Sequence, residues 1–396
     1  MNKFFKSALL GPVMALGLAA SPVMAQQVNV TFLVAADIYE MAVDNARGGF
    51  SRAAAVVRNE RAKGGNLVYV WAGDAISPSL LSGFDKGSHV IDLINMEPPD
   101  IFVPGNHEFD FGKDIFNQRM GDLRSEKLAA NLRNADGSLV AGFADTKMLD
   151  YDGVKIGIVG LTAEDSSTKS SPGDLVFTSS VDTLVANAAA LRKQGADLVV
   201  AVTHSGWPVD QQLMNTGAVD IVLSGDDHDL RVFYDGNVAF AEPTADAYNL
   251  VAVDVAINVS TRNDRRRVKW YPKFRIIDTE GVAVPADYAA KVAALQTGLD
   301  KELNVVIGTV TTPLDTRKAM VRTQETAFGN LVTDAMKNAV GADIAITNGG
   351  GIRSNREYEA NYQITRKDIL SELPFGNLTL LLEVSGADII AALENG

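Results

Sequence analysis

The chain has 396 residues, 46% hydrophobic and 21% charged, enough to bury a large core. Because single cores stop growing near ~250–300 residues, two globular domains are expected. A formal net charge of −13 argues against a surface for nucleic-acid polymer or anionic membrane, and the absence of cysteine excludes disulfides, thiolate metal sites, thiol nucleophiles and a lipid-attachment cysteine. Any metal therefore has to be held by oxygen and imidazole.

The first 25 residues read as a cleaved export leader. Lys3 and Lys6 precede a short apolar stretch, and Val23-Met24-Ala25 supplies small residues where a signal peptidase reads. Cleavage after Ala25 would give a periplasmic or secreted protein with no stable membrane anchor. "VNVTFLVAAD" is then a strand ending at Asp37, "GFSRAAAVVRNERAKGG" a helix closed by Gly64-Gly65, and "NLVYVWAGD" a strand ending at Asp74. "HVIDLINM" is helical. In "PPDIFVPGNHEFDFG" a short apolar strand is stopped by Pro104-Gly105, which leaves Asn106, His107, Glu108 and Asp110 on the loop beyond it. Two readings stand for that loop alone: a turn whose polar groups cap backbone amides, or a ligand loop, since open α/β sheets bind ligands at carboxyl strand ends.

"GVKIGIVGLTAED" continues the pattern as a strand, followed by the helix "VDTLVANAAALRKQGA" and the strand "DLVVAVTHSGW", which ends at His204. "VDIVLSGDDHDL" ends in an acidic loop carrying Asp226 and His228, and "LRVFYDGNVAFAEP" and "NLVAVDVAINVS" read as shorter strands at the edge. The alternation predicts a layered α/β domain over 26–280. An Ala-rich helix within 281–304 is the expected connector to a smaller α/β region, 305–396, with the helix "GNLVTDAMKNAVGA", a strand "DIAITNGG", and "TLLLEVSGADIIAAL" as strand then helix.

Asp37, Asp74, Asn106 and His204 each fall at or just past a predicted strand end, as do Asp226 and His228. If those strands are parallel neighbours, their ends converge on one sheet edge. Carboxylates, an amide oxygen and neutral imidazoles suit a hard to borderline divalent ion, and a carboxylate can bridge two. An aspartate after a strand is by itself more often a turn or helix cap. Three of the four histidines at such ends favour a shared site, whereas His89 reads as structural, near a helix start.

Asp37, "AGD" at 72–74, "GNHEFD" at 105–110, "THSG" at 203–206 and "SGDDHD" at 224–229 resemble, in order and spacing, the calcineurin-like metallophosphoesterases. "GNLVTDAM", "ITNGGGIR" and "LPFGN" are similar to the carboxyl-terminal domain of the 5'-nucleotidase family, whose bacterial members are periplasmic UDP-sugar hydrolases and nucleotidases. The resemblance implies a metallophosphoesterase sandwich domain and two divalent ions, from among Mn²⁺, Zn²⁺, Mg²⁺ and Co²⁺, with a hydroxide between them. It makes Asp74 the bridging ligand, gives one ion Asp37 and His228, and gives the other Asn106, His204 and the position of Asp226. His107 would face the phosphoryl group with Asp110 orienting its ring, and Glu108 would be structural. Asn348 and Arg353 match substrate-contacting residues, and Arg322 is a further candidate. Phe375 reads most simply as core.

Two positions depart from the pattern. Tyr39 stands where Asp-x-His supplies an imidazole, and Asp226 stands where Gly-His does. An aspartate keeps a ligand and favours harder ions such as Mn²⁺ or Mg²⁺, while a neutral phenol is a poor ligand unless the ion lowers its pKa. The last residues stop inside what resembles the middle of the second domain, before the aromatic residues that stack the nucleobase. Either the chain is truncated or it cannot clamp a base in the usual way. The reading is a metal-dependent phosphoric ester hydrolase acting on nucleotides, 5'-mononucleotides first. A phosphodiesterase for 2',3'-cyclic nucleotides or UDP-sugars is the alternative, and a binding homologue with little turnover is the reading from another class.

Overall fold

The computed structural model describes residues 25–41, 46–262, 265–375 and 377–395. The expected leader therefore lies outside the described residues except for Ala25, which opens the first strand. No helix among the described residues is long and apolar enough to cross a membrane.

Two sheets pack face to face, and helices cover both outer surfaces. The first sheet runs Arg265–Asp278, Asn249–Arg262, Ala25–Ala35, Asn66–Ala72, Ile101–Val103, Glu126–Leu128, Phe143–Ala144. From Ala25–Ala35 onward its strands are parallel, as βαβ crossovers require. The second sheet runs Arg231–Tyr234, Ala239–Glu242, Ile221–Leu223, Leu198–Thr203, Val154–Leu161, Thr146–Tyr151, with its four middle strands parallel.

Strand alternation builds three apolar layers. Val28, Val30, Phe32 and Val34 point between the sheets and meet Ile156, Ile158, Val200 and Val202, while Leu33, Tyr69, Trp71 and Phe102 point outward under helices. Both faces of these strands are covered, which is why they read as nearly unbroken apolar runs. Each such buried Val or Leu contributes about 1.5–3 kcal/mol. The helix Ser180–Lys193 covers the second sheet with Leu184, Ala188 and Leu191.

The region after Asn249 differs from expectation. Asn249–Arg262 and Arg265–Asp278 are not short edge strands but a hairpin of two 14-residue strands, and the first of them lies inside the sheet between Ala25–Ala35 and its partner. Its continuous pairing with residues 25–34 fixes one of the core strands that carry candidate ligands at their ends. The connector helix Ala286–Leu303 packs on the first region, with Tyr288 Oη donating to the Leu93 carbonyl at 2.9 Å.

The second region has a small core of Val310, Leu314, Val321, Phe328, Ile352, Tyr358 and Ile364. Its helices Ala327–Val340 and Gly386–Glu394 form as expected, but the strands expected in "DIAITNGG" and "TLLLEV" do not. Among the described residues neither segment has a ladder partner, and Ile344, Ile346, Leu380 and Leu382 are exposed. β-branched and apolar content suits a strand, but only pairing satisfies its backbone groups.

Candidate metal centre

The strand ends converge across the seam of the sandwich rather than along one sheet edge. Asp37, Asp74 and Asn106 follow three neighbouring strands of the first sheet, whereas His204, Asp226 and His228 follow two of the second. His204 ties the two together, because its backbone N–H donates to the Leu161 carbonyl at 2.9 Å and its Nδ1 lies 2.8 Å from the Ala72 carbonyl. That contact places the proton on Nδ1 and leaves Nε2 free as a ligand.

Asp37, Asp74, Asp226 and His228 all adopt left-handed backbone, with φ of 54, 53, 99 and 66°. Such conformations cost on the order of 1 kcal/mol or more each and persist where the surroundings over-determine them. Here the surroundings do. The buried Glu108 carboxylate accepts from the backbone N–H groups of Asp74, Ala75, Ile76 and Gly105, at 2.9, 2.7, 3.2 and 2.6 Å. This gives the expected structural role of Glu108 its content: it clamps one ligand loop to the next. Gly105 has no alternative, since a Cβ there would stand 2.0 Å from Asp74 Oδ1.

Ligand atoms of Asp37, Asp74 and His204 lie within 4.8 Å of one another. Asp74 is central. Its Oδ1 accepts from the His107 N–H at 2.8 Å, and its Oδ2 lies 3.2 Å from His204 Nε2 and 3.2 Å from the Tyr39 hydroxyl. Asp226 Oδ1 is 3.4 Å from His204 Nε2, and His228 Nε2 is 3.6 Å from Asp37 Oδ1. The Tyr39 hydroxyl stands among Asp37 Oδ1, Asp74 Oδ2 and His228 Nε2 at 3.4, 3.2 and 3.3 Å, so the phenol occupies the position of an imidazole ligand.

These residues fit divalent ions. His204 Nε2 is fully buried and faces only carboxylate oxygens, Asp74 Oδ2 at 3.2 Å and Asp226 Oδ1 at 3.4 Å. Burial would push the His204 imidazole down, but the carboxylates of Asp74, Asp226 and Asp37 hold its pKa well above the ordinary value. Burial in turn pushes Asp37 well up. Crowded carboxylates around one imidazole demand positive charge at its Nε2, and a divalent cation meets that demand better than a proton. The Asn106 amide lies beside this cluster: with its nitrogen toward Asp226 it donates to Oδ1 at 3.2 Å, and its oxygen accepts from the His107 N–H at 3.3 Å. Burial lowers the His228 pKa, keeping it neutral as a ligand has to be.

Beside the centre, His107 Nδ1 lies 2.7 Å from Asp110 Oδ2, and Ser170 Oγ donates to Asp110 Oδ1 at 2.6 Å. Although burial opposes it, the Asp74 and Asp110 carboxylates bring the His107 pKa up to about 9, so the ring carries a proton at neutral pH. Its Nε2 is 3.9 Å from Asp74 Oδ2. His89 lies elsewhere, paired with Asp85 at 3.0 Å, in keeping with a structural role.

The second region reaches the same place. Phe375 is not core: it stacks on the His107 ring at 6.0 Å and 13°, and the Arg353 guanidinium lies over it at 5.3 Å. Partial burial and then the neighbouring Arg322 charge pull the Arg353 guanidinium below its usual range. Neither arginine pairs with a carboxylate among the described residues. Asn348 stands at the start of the Gly349–Gly351 turn, where its backbone carbonyl accepts from the Gly351 N–H at 3.2 Å. Sequence reasoning missed Lys169 and Ser170, whose loop follows a strand as the ligand loops do, and that position was the one available signal.

A family model described as the calcineurin-like phosphoesterase matches residues 30–230, and one described as the 5'-nucleotidase, C-terminal domain, matches 306–396. The chain is 29% identical over 389 residues to the trifunctional nucleotide phosphoesterase protein YfkN of Bacillus subtilis, covering 86% of this chain and 26% of that one. It is 28% identical over 382 residues to the 5'-nucleotidase of Mus musculus, covering 88% and 66%. The chain thus spans about a quarter of the first relative and just under two thirds of the second. Among solved structures, the 5'-nucleotidase precursor from Thermus thermophilus is similar with a TM-score of 0.71 at 22% identity, covering 93% of this chain and 78% of that one. A putative 5'-nucleotidase from Staphylococcus aureus gives 0.69 at 19%, covering 88% and 72%.

Proposed function

The chain belongs to the calcineurin-like phosphoesterase family, and on that premise we propose that it is an exported metal-dependent hydrolase of nucleotide phosphoesters, with 5'-mononucleotides as its first substrates. The observation that carries this reading is the buried His204 Nε2 facing only the carboxylates of Asp74 and Asp226, with Asp37 in the same cluster, beside a protonated His107. Asp37, Tyr39, Asp74 and His228 would hold one ion, and Asp74, Asn106, His204 and Asp226 the other. When bound, such a pair polarises a phosphoryl oxygen and supplies a nucleophile from water at neutral pH.

The chain's own residues do the rest. Asp110 holds the Nδ1 proton of His107 and orients the ring, so that the imidazolium's Nε2 proton can be donated to a phosphoryl oxygen or to the departing sugar oxygen. Arg353 and Arg322 bring unpaired positive charge for the rest of the phosphate or the ribose hydroxyls. Asn348 offers an amide beside them.

A second reading is favoured by one feature, Tyr39 among the ligands of the first ion. A phenol there weakens that ion's site and would suit a binding homologue with little turnover. Measuring Mn²⁺-supplemented phosphate release from AMP separates the two. The enzyme reading expects turnover that Asp74→Asn lowers by roughly a thousandfold, equivalent to about 4 kcal/mol of lost charge stabilisation. No turnover with any divalent ion contradicts it. Comparison of AMP with 2',3'-cyclic AMP and a UDP-sugar ranks the substrates, and turnover of the diesters alone would replace the mononucleotide reading.

A further inference from the structure

The loop after the strand Val154–Leu161 carries none of the motifs, yet two consecutive residues of it reach the centre. Lys169 Nζ stands 3.4 and 3.3 Å from the two oxygens of Asp226, and Ser170 Oγ donates to Asp110. The loop is held there: Ser166 is fully buried and donates to the Ala163 carbonyl at 2.7 Å, and the Lys169 N–H donates to the Asp165 carbonyl at 3.1 Å. Asp165 adds a second carboxylate 3.3 Å from the ammonium. Among the described residues no other lysine or arginine pairs with a member of the candidate centre.

An ordinary surface ion pair would be the plain explanation, worth little. The Asp226 side chain, however, is only 13% exposed and faces His204, so Lys169, itself 39% exposed, brings its ammonium from solvent to the rim of the centre. Its partner is also the carboxylate that stands where an imidazole was expected. The Asp226 and Lys169 pair carries no net charge, as a neutral imidazole carries none, but it adds a three-donor cation beside the place where phosphate oxygens gather.

We propose that Lys169 is a phosphate-binding residue of this site, its ammonium taking a nonbridging oxygen of the substrate phosphate beside Asp226. The inference rests on the phosphoesterase reading. The test uses the full chain loaded with Mn²⁺, with inorganic phosphate as the probe and AMP as the substrate, in the wild type, Lys169→Met, Lys169→Arg, Asp226→His and the Asp226→His, Lys169→Met double variant. Phosphate affinity is read by calorimetry, Mn²⁺ per chain by elemental analysis, and KM and kcat by phosphate release.

Lys169→Met is expected to weaken phosphate binding and raise KM about tenfold, the size of one charge-assisted hydrogen bond, with Mn²⁺ content unchanged and a smaller change in kcat. Lys169→Arg should recover most of the loss, and the same loss should appear when the methionine is added to Asp226→His. Unchanged phosphate affinity and KM in Lys169→Met would overturn the proposal. So would a loss that tracks Mn²⁺ content and disappears in the Asp226→His background, because Lys169 would then only balance the charge of Asp226. If instead the wild type binds phosphate but hydrolyses no ester, the enzymatic reading fails while calorimetry still decides the role of Lys169.

Discussion

Asp74 and Arg353 come from two regions that hold their side chains in different ways. Asp74 is 2% exposed, its backbone N–H and those of its two successors are clamped by Glu108, and its carboxylate is fixed by His107 and His204. Arg353 is exposed and is steadied by Phe375 and by one contact to the Gly350 carbonyl at 3.4 Å. The core beneath it is small, whereas three layers lie around the strands that feed the metal centre. On the proposed reading the difference is a division of labour: candidate ligands, which need tight geometry, sit on strand ends of the large sandwich, and candidate substrate contacts arrive from the lighter region.

Substitutions can break this contrast or sharpen it. Outside the proposed ligands, the largest effect is expected from Glu108→Gln, which touches no substrate. A glutamine amide nitrogen facing backbone donors leaves buried N–H groups unsatisfied, costing about 3 kcal/mol of stability by denaturant titration. It would also lower turnover by roughly 10²-fold through displacement of Asp74. Retained stability with full activity would show that the ligand loops are not clamped as described. Arg353→Ala should act differently, raising the KM for AMP about tenfold while melting temperature and metal content stay at wild-type values. A drop in metal content in that variant would mean that the second region helps to build the centre. Ser170→Ala is the smallest, about two- to fivefold in kcat, because it removes one hydrogen bond from Asp110 and leaves His107 paired. An unchanged kcat would place Ser170 outside the orienting chain.

The candidate ligands were legible because each core strand is an apolar run that ends abruptly in polar residues, and Asp37, Asp74, Asn106, His204, Asp226 and His228 all sit at those ends. The resemblance implied the sandwich, but strand order was not legible in the residues themselves, since pairing such as Val30 with Val255 joins residues more than two hundred positions apart and leaves no local mark. Glu108 reads as a loop carboxylate until its four backbone partners are seen. Phe375 follows a proline in a segment without periodicity, so nothing distinguished a core residue from one stacked on His107. The strands expected at "DIAITNGG" and "TLLLEV" had the right residues, but whether such residues pair depends on a neighbour that composition does not name. Tyr39 and Asp226 were visible as departures, and the structure gave each a place: one among three ligand atoms, the other between His204 and Lys169.

The central claim is that this set of residues holds two divalent ions despite Tyr39. Counting Mn²⁺ bound per chain by calorimetry tests it most directly, with Asp74→Asn and Asp37→Asn alongside. The account predicts two ions in the wild type, the first-site ion lost or weakened in Asp37→Asn, and both weakened in Asp74→Asn because it bridges. One ion in the wild type, left untouched by Asp37→Asn, would contradict it and show that Tyr39 has closed the first site.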